Sequence, residues 1–300
     1  MSQLRRIVVG YAPTPDGERA LRAARTFAAR AHSLLYVLHV VEPYPLYVKL
    51  RFPTVPAQTQ LEQVAEKMRE QLAELMHGAE FAALESDIDV HIGKPFVELI
   101  STCKEWRGDM LVVGASAQDD DRFLGSTSER VLRKSPVPVL IAKRDFAAGP
   151  KTVLIPTDFS ACSQQGAREA LELVRGFGGR AVFLHVLDLR YLYSATYGVE
   201  AVALPPLVKP EELAPDWQEF LHDLPLGGGL VWEQQTREGR AAQVIAEVAE
   251  EISADLIVIG THGRSGISHM LLGSVAEQVL RMAQCSVLTV RPEAFRFELP

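Results

Sequence analysis

The sequence predicts an α/β fold, a pair of doubly wound parallel-sheet domains, on three observations. The chain repeats itself at a fixed offset. Short runs rich in Val, Ile and Leu recur without polar alternation, as in parallel strands buried on both faces. Ala-rich amphipathic stretches separate these runs, and strands alternating with helices imply βαβ units.

The repeat sets the domain organisation. Leu35-Tyr36-Val37-Leu38-His39-Val40 resembles Val182-Phe183-Leu184-His185-Val186, with the histidines 185 − 39 = 146 positions apart. Asp109-Met110-Leu111-Val112-Val113-Gly114 resembles Asp255-Leu256-Ile257-Val258-Ile259-Gly260 at 260 − 114 = 146. Gly93 and Gly239 keep that offset, as do residues 7–9 and 153–155. Gly125-Ser126 matches Gly273-Ser274 at 273 − 125 = 148, so the first copy is two residues shorter between its glycines. Residues 1–145 and 151–300 therefore read as copies. The small Gly/Pro-ended stretch 146–150 joins them. A chain of 300 residues suits two domains of about 150.

Within the first copy, residues 7–10, 34–41, 110–114 and 137–142 read as strands. Residues 17–31 place Ala20, Leu21, Ala24, Phe27, Ala28 and Ala31 at helical spacing. Residues 59–83 do the same with Leu61, Val64, Met68, Leu72 and Leu75, and 96–106 and 126–134 complete the set. The second copy's helices are expected at 163–177, 241–252 and 274–283. Its stretch 190–229 departs from the repeat. Only 210–224 within it looks helical, so a lid or packing arm is expected there.

Composition narrows the function classes. The chain carries 31 Lys+Arg against 38 Asp+Glu, a net charge of −7, and a hydrophobic fraction of 47%. That balance argues against a nucleic-acid or membrane-surface binder, which needs dense basic patches. No run approaches the roughly 18 apolar residues of a membrane span. Residues 1–6 lead into a strand without a signal-peptide core. Cys103, Cys162 and Cys285 are far apart and form no C-x-x-C, so a reducing cytoplasm is the expected location.

Ligands of open parallel sheets bind at the carboxyl ends of strands, near the switch in strand order. The first such loop of the second copy is Pro156-Thr157-Asp158-Phe159-Ser160. Asp158 offers an acceptor-only carboxylate suited to ribose hydroxyls or a base amine. The plainer alternative is that Asp158 or Ser160 caps the next helix. The second loop, from Gly260 to Ser274, reads G-x2-G-x9-G-S through Gly263 and Gly273. Glycines let amides approach phosphate oxygens, and a helix N-terminus favours anions. Ser274 and Glu277 have the spacing of a capping box. An ordinary Gly-rich turn is the alternative there.

With these motifs the chain resembles the universal stress protein family, and looks like a tandem member. The resemblance covers nearly all of the chain outside 190–229. It rests on Pro156–Ser160, on strand-end His185-Val186 and on the G-x2-G-x9-G-S motif, the mark of ATP-binding members. It implies Rossmann-like domains of the adenine nucleotide alpha-hydrolase type, with strand order 3-2-1-4-5. It further implies ATP held with Asp158 near ribose or base and the Val186 backbone beside adenine. Gly260, Gly263, Gly273, Ser274 and Val275 would hold the phosphates, with Pro156, Thr157, Ile259, His262 and Arg264 also among the cofactor-binding residues. Mg²⁺ can join through phosphate oxygens. The family dimerises through its last strand. The apolar runs 137–141 and 286–290 are therefore expected to pair in one chain as a pseudo-dimer, with a further homodimer left open.

The first copy departs from this pattern. Ala12 stands where Asp158 does, at 158 − 12 = 146, and offers ribose no partner. Ala117 replaces the second glycine, and seven residues, 118–124, replace nine. Asp119, Asp120 and Asp121 put like charge beside a would-be triphosphate, at a cost on the order of a few kcal/mol, which Arg122 offsets in part. ATP binding is therefore expected in the second copy alone.

Other motifs carry less. Gly93-Lys94-Pro95 lacks the preceding glycine and the Ser/Thr of a P-loop. His262 and His269 have no further ligands at metal spacing. His39 and His185 read as strand-end histidines bonded to backbone. Ser160, Ser163 and Ser274 lack a nucleophile elbow. Cys162 sits where a helix N-terminus can lower a thiol pKa, but reads as a passive small residue. With no catalytic constellation, the chain reads as a regulatory, stress-associated nucleotide binder with at most slow ATP hydrolysis, and with an unidentified protein partner. A nucleotide-independent scaffold or small-ligand carrier is the alternative. An adenylating enzyme is a third class, for which no substrate pocket is evident.

Overall fold

A computed structural model describes residues 4–43, 58–115, 124–146, 148–188, 210–262 and 272–292. The chain divides into two compact units, residues 2–149 and 150–295. The first unit runs β1 (Arg6–Tyr11), α1 (Pro15–Ala31), β2 (Leu34–Val41), α2 (Gln58–Met76), β3 (Ser86–Ile92), α3 (Pro95–Glu105), β4 (Met110–Gly114), α4 (Ser126–Lys134) and β5 (Val139–Ala142). Its strands lie in the order β3-β2-β1-β4-β5, with every pair parallel. Ile7, Val8 and Val9 of β1 and Leu111 and Val112 of β4 are fully buried, as the unalternating apolar runs require. Helix α1 turns Ala20, Ala24, Phe27 and Ala28 toward them.

The second unit repeats the plan. It runs β6 (Thr152–Thr157), α5 (Ala161–Phe177), β7 (Arg180–Leu187), a 3-10 turn (Pro210–Leu213), α6 (Ala214–His222), β8 (Val231–Glu238), α7 (Ala241–Glu251), β9 (Leu256–Gly260), α8 (Ser274–Met282) and β10 (Ser286–Val290). The order is β8-β7-β6-β9-β10, again parallel throughout. Each unit thus shows the order 3-2-1-4-5. Strand order reverses at β1/β4 and at β6/β9, where an open sheet leaves a crevice at its carboxyl ends.

The repeat extends to individual hydrogen bonds. Asp109 Oδ2 accepts from the amides of Arg5 and Arg6 at 2.7 and 2.8 Å. Asp255 Oδ2 accepts from Lys151 and Thr152 at 2.8 and 2.9 Å. Each carboxylate thereby fastens the start of its unit's first strand to the start of the fourth. Gly93 N donates to Val41 O and Gly239 N to Leu187 O, both at 3.1 Å, tying the end of the third strand to the second.

The stretch 210–224 is helical as expected, a 3-10 turn followed by α6. Two expectations about elements are corrected. The helix expected at 59–83 ends at Met76, and turns fill 77–84 before β3. Helix α8 is capped by Gly273, with Ser274 inside its first turn, so no Ser274–Glu277 capping box forms. Glu277 instead takes Arg281, one turn on, at 2.9 Å. Residues 190–209 of the expected lid lie outside the described residues.

Asp255→Ala strips two amides of a charged acceptor and should cost about 1–3 kcal/mol in chemical denaturation, with Asp109→Ala costing a similar amount. On α5, burial pushes the Glu169 carboxyl up from 4.5 to about 7. A folded-state value above the unfolded one means full stability below about pH 4.5, lost as pH rises through 7. Glu169→Gln should therefore stabilise the protein by about 1–3 kcal/mol at pH 8 and have little effect at pH 4.5. An equal effect at both pH values contradicts this.

Candidate functional site

The crevice of the second unit begins where β6 leaves β9. The ladder between them pairs Val153 with Leu256 and Leu154 with Ile257, and no later pair is formed. Pro156, which brings no N–H to a ladder, stands just past that point. On the other side β6 stays in register with β7 through Thr157 and His185. The ends of β6, β7 and β9 therefore bring together Pro156, Thr157, Asp158, Val186, Ile259 and Gly260.

The β6–α5 turn is held by its own side chains. Ser160 is the N-cap of α5, its Oγ accepting from Ser163 N at 3.2 Å. Asp158 is not the cap; its Oδ1 accepts from Ser160 N at 3.1 Å. Thr157 Oγ1 accepts from Phe159 N at 2.9 Å and lies 3.0 Å from Ser163 Oγ. Phe159 adopts a left-handed backbone, φ 62°. Its ring stacks on His185 at 4.3 Å and meets the edges of Trp217 and Phe220. The His185 Nδ1 carries a proton, since its partner at 2.8 Å is the Thr157 carbonyl. His39 bonds the Tyr11 carbonyl in the same way at 2.9 Å. Both histidines are thus strand-end residues held by backbone.

The β9–α8 loop is closed at its neck. Gly273 N donates to Thr261 O at 2.7 Å, and Thr261 N to Val290 O at 2.8 Å. A Cβ on Gly273 would stand 2.9 Å from that Thr261 oxygen. A Cβ on Gly260 would stand 3.0 Å from Cys162 Sγ in the first turn of α5. Both glycines thus serve close backbone approach. The first turn of α8 has no side-chain cap, and Ser274 and Val275 in it are exposed. Its amides and helix dipole suit an anion. His262 Nδ1 lies 2.9 Å from Thr261 Oγ1. Gly263 and Arg264 lie outside the described residues.

Burial settles the thiols. Desolvation raises the Cys162 pKa despite nearby backbone N–H groups, and pushes Cys103 up to about 12. Neither is a ready nucleophile, and all three cysteines are buried thiols. Among the described residues, no group of His, Cys, Asp and Glu has metal-site geometry. A cavity of about 270 Å³ beside the site lies between the start of α5 and α6; Phe159, Gln164, Asp216, Glu219, Phe220 and Asp223 are among its lining residues.

The first unit builds the same frame differently. Thr14 caps α1, accepting from Gly17 N at 3.2 Å, and Thr14 N turns back to Ala12 O at 2.8 Å. Ala12 provides no side-chain acceptor where Asp158 does. The neck is kept, with Gly125 N donating to Ala115 O at 3.0 Å. Ala117, Asp119, Asp120, Asp121 and Arg122 lie outside the described residues.

Sequence reasoning missed Phe159, Trp217 and Phe220 as neighbours of the site. It also missed Arg291 just after β10, a side chain 4% exposed whose burial lowers its pKa to about 10, with the Cys162 thiol acting in the opposite sense. The Phe159 signal was available, because Pro13 stands at its place in the first copy.

Comparison with known proteins follows the same two-unit division. The universal stress protein family model matches twice, at residues 3–143 and 149–291. A universal stress protein of Methanocaldococcus jannaschii is 35% identical over 144 residues, which are 47% of this chain and 82% of that protein. One from Mycolicibacterium smegmatis is 26% identical over 95% of this chain and 97% of its own length. The crystal structure of a universal stress protein from Archaeoglobus fulgidus superposes with a TM-score of 0.73 at 21% identity, covering 96% of this chain and 99% of that one. The repeat, the fold of each unit and the two family matches agree: this chain belongs to the universal stress protein family.

Proposed function

We propose that the second unit binds an adenine nucleotide, ATP, and that the first unit does not. The observation that carries this reading is the contrast at the two switch points. In the second unit the Asp158 carboxylate follows the end of β6 at the switch point; the first turn of α8 lacks a side-chain cap, as does that of α4 in the first unit. In the first unit Ala12 leaves the corresponding position without an acceptor. Asp158 would meet ribose or base, and the Val186 backbone the adenine. Gly260, Gly263, Gly273, Ser274 and Val275 would hold the phosphates, with His262 and Arg264 beside them. When bound, the triphosphate supplies oxygens for a divalent ion such as Mg²⁺.

The protein then acts as a regulatory nucleotide binder, with occupancy biasing a surface read by a protein partner. The buried thiols fit a reducing cytoplasm, and no described helix is long and apolar enough to cross a membrane. A nucleotide-independent small-ligand carrier is the second reading. The cavity of about 270 Å³ favours it, and its three carboxylates make it a poor seat for a triphosphate.

Titration calorimetry on the full chain tests the reading. One ATP per chain is expected; two equal sites, or none, contradict it. Asp158→Ala should weaken ATP binding about tenfold or more, the loss of a charged acceptor. Ala12→Ser should leave it unchanged. Gly273→Asp should abolish binding and Gly125→Asp should not. Mass spectrometry of ligands carried through native purification separates the two readings, because ATP is expected only under the first.

A further inference from the structure

We infer that α6 is a positioning element for the ligand loop of the second unit. Trp217 holds Phe159 in the backbone conformation that aims Asp158. The inference rests on the reading that this loop takes the nucleotide.

Phe159 lies in the left-handed region at φ 62°. A bulky residue stays there only where its surroundings over-determine it. Those surroundings are an aromatic cage from two elements, β7 and α6. His185 on β7 lies flat against the Phe159 ring, 4.3 Å away and tilted 24°. Trp217 and Phe220 on α6 close it edge-on at 5.0 and 5.7 Å. The cage is itself anchored. Trp217 is 4% exposed, and its Nε1 donates to Thr236 Oγ1 on β8 at 3.1 Å. His185 is fixed by the Thr157 carbonyl at 2.8 Å.

With Phe159 so held, its amide reaches Thr157 Oγ1 and the Ser160 amide reaches Asp158 Oδ1. The carboxylate is thus set before any ligand arrives, which lowers the ordering cost of binding. The first unit cannot copy this device. Pro13 stands at 159 − 146 = 13, and its ring fixes φ near −65°. The two loops therefore differ in backbone as well as in Ala12 against Asp158.

The test uses the full chain and two readouts, ATP affinity by calorimetry and exchange of the Phe159 and Ser160 amides. Trp217→Ala should speed that exchange and weaken ATP binding about tenfold. Trp217→Phe, which keeps a ring, should restore most of both. Adding Phe159→Gly to Trp217→Ala should also recover affinity, because glycine takes positive φ without a clamp. A general loss of stability would not be rescued that way. If Trp217→Ala does not fold, Phe220→Leu opens the cage from the same helix and carries the comparison. Unchanged exchange and affinity, or no recovery with Phe159→Gly, overturns the inference. If the wild type binds no ATP, the ligand reading falls, while the exchange comparison still decides whether α6 positions the loop.

Discussion

A parallel sheet that reverses its strand order must open at the reversal, and each unit depends on how that opening is filled. The central strand pairs with both neighbours at its start and with only one at its end. In the second unit β6 and β9 part after Leu154 and Ile257. The first turn of α5 then comes close enough to β9 that Gly260 admits no Cβ without crowding Cys162. The same constraint governs the first unit, where a Cβ on Gly114 would stand 2.6 Å from the Asp16 carbonyl. Fold and candidate site are thus consequences of one geometric fact.

The same frame holds two different linings. Carboxylates at the strand starts, neck bonds at the fourth-strand loops and strand-end histidines are shared almost atom for atom. The strand-end turns diverge. One is a proline-flanked turn at Ala12 that closes on its own carbonyl. The other is strained at Phe159, side-chain bonded and caged by α6. The duplication thus keeps the scaffold and alters one crevice, and the proposed division of ligand binding rests on that difference.

Much of this was legible in the sequence, for physical reasons. Doubly buried strands write themselves as continuous apolar runs, and the offset of 146 exposed the copies. The strands β3 and β8 were not legible. Asp87, Glu233, Gln234 and Glu238 on them are exposed, as are Val231 and Trp232 at the start of β8. The glycines of the phosphate motif were read as ligand-facing, whereas Gly260 and Gly273 also meet packing demands from Cys162 and Thr261. The aromatic cage escaped notice because its members lie far apart in sequence and only the β6–β7–β8 register gathers them.

The central claim is that one crevice of two takes the nucleotide. Photolabelling the full chain with an azido-adenine ATP analogue, followed by peptide mapping, tests it most directly. The account predicts ATP-protected labelling confined to peptides around 156–188 and 259–276. ATP-protected label in peptides around 11–42 or 114–126 would contradict it.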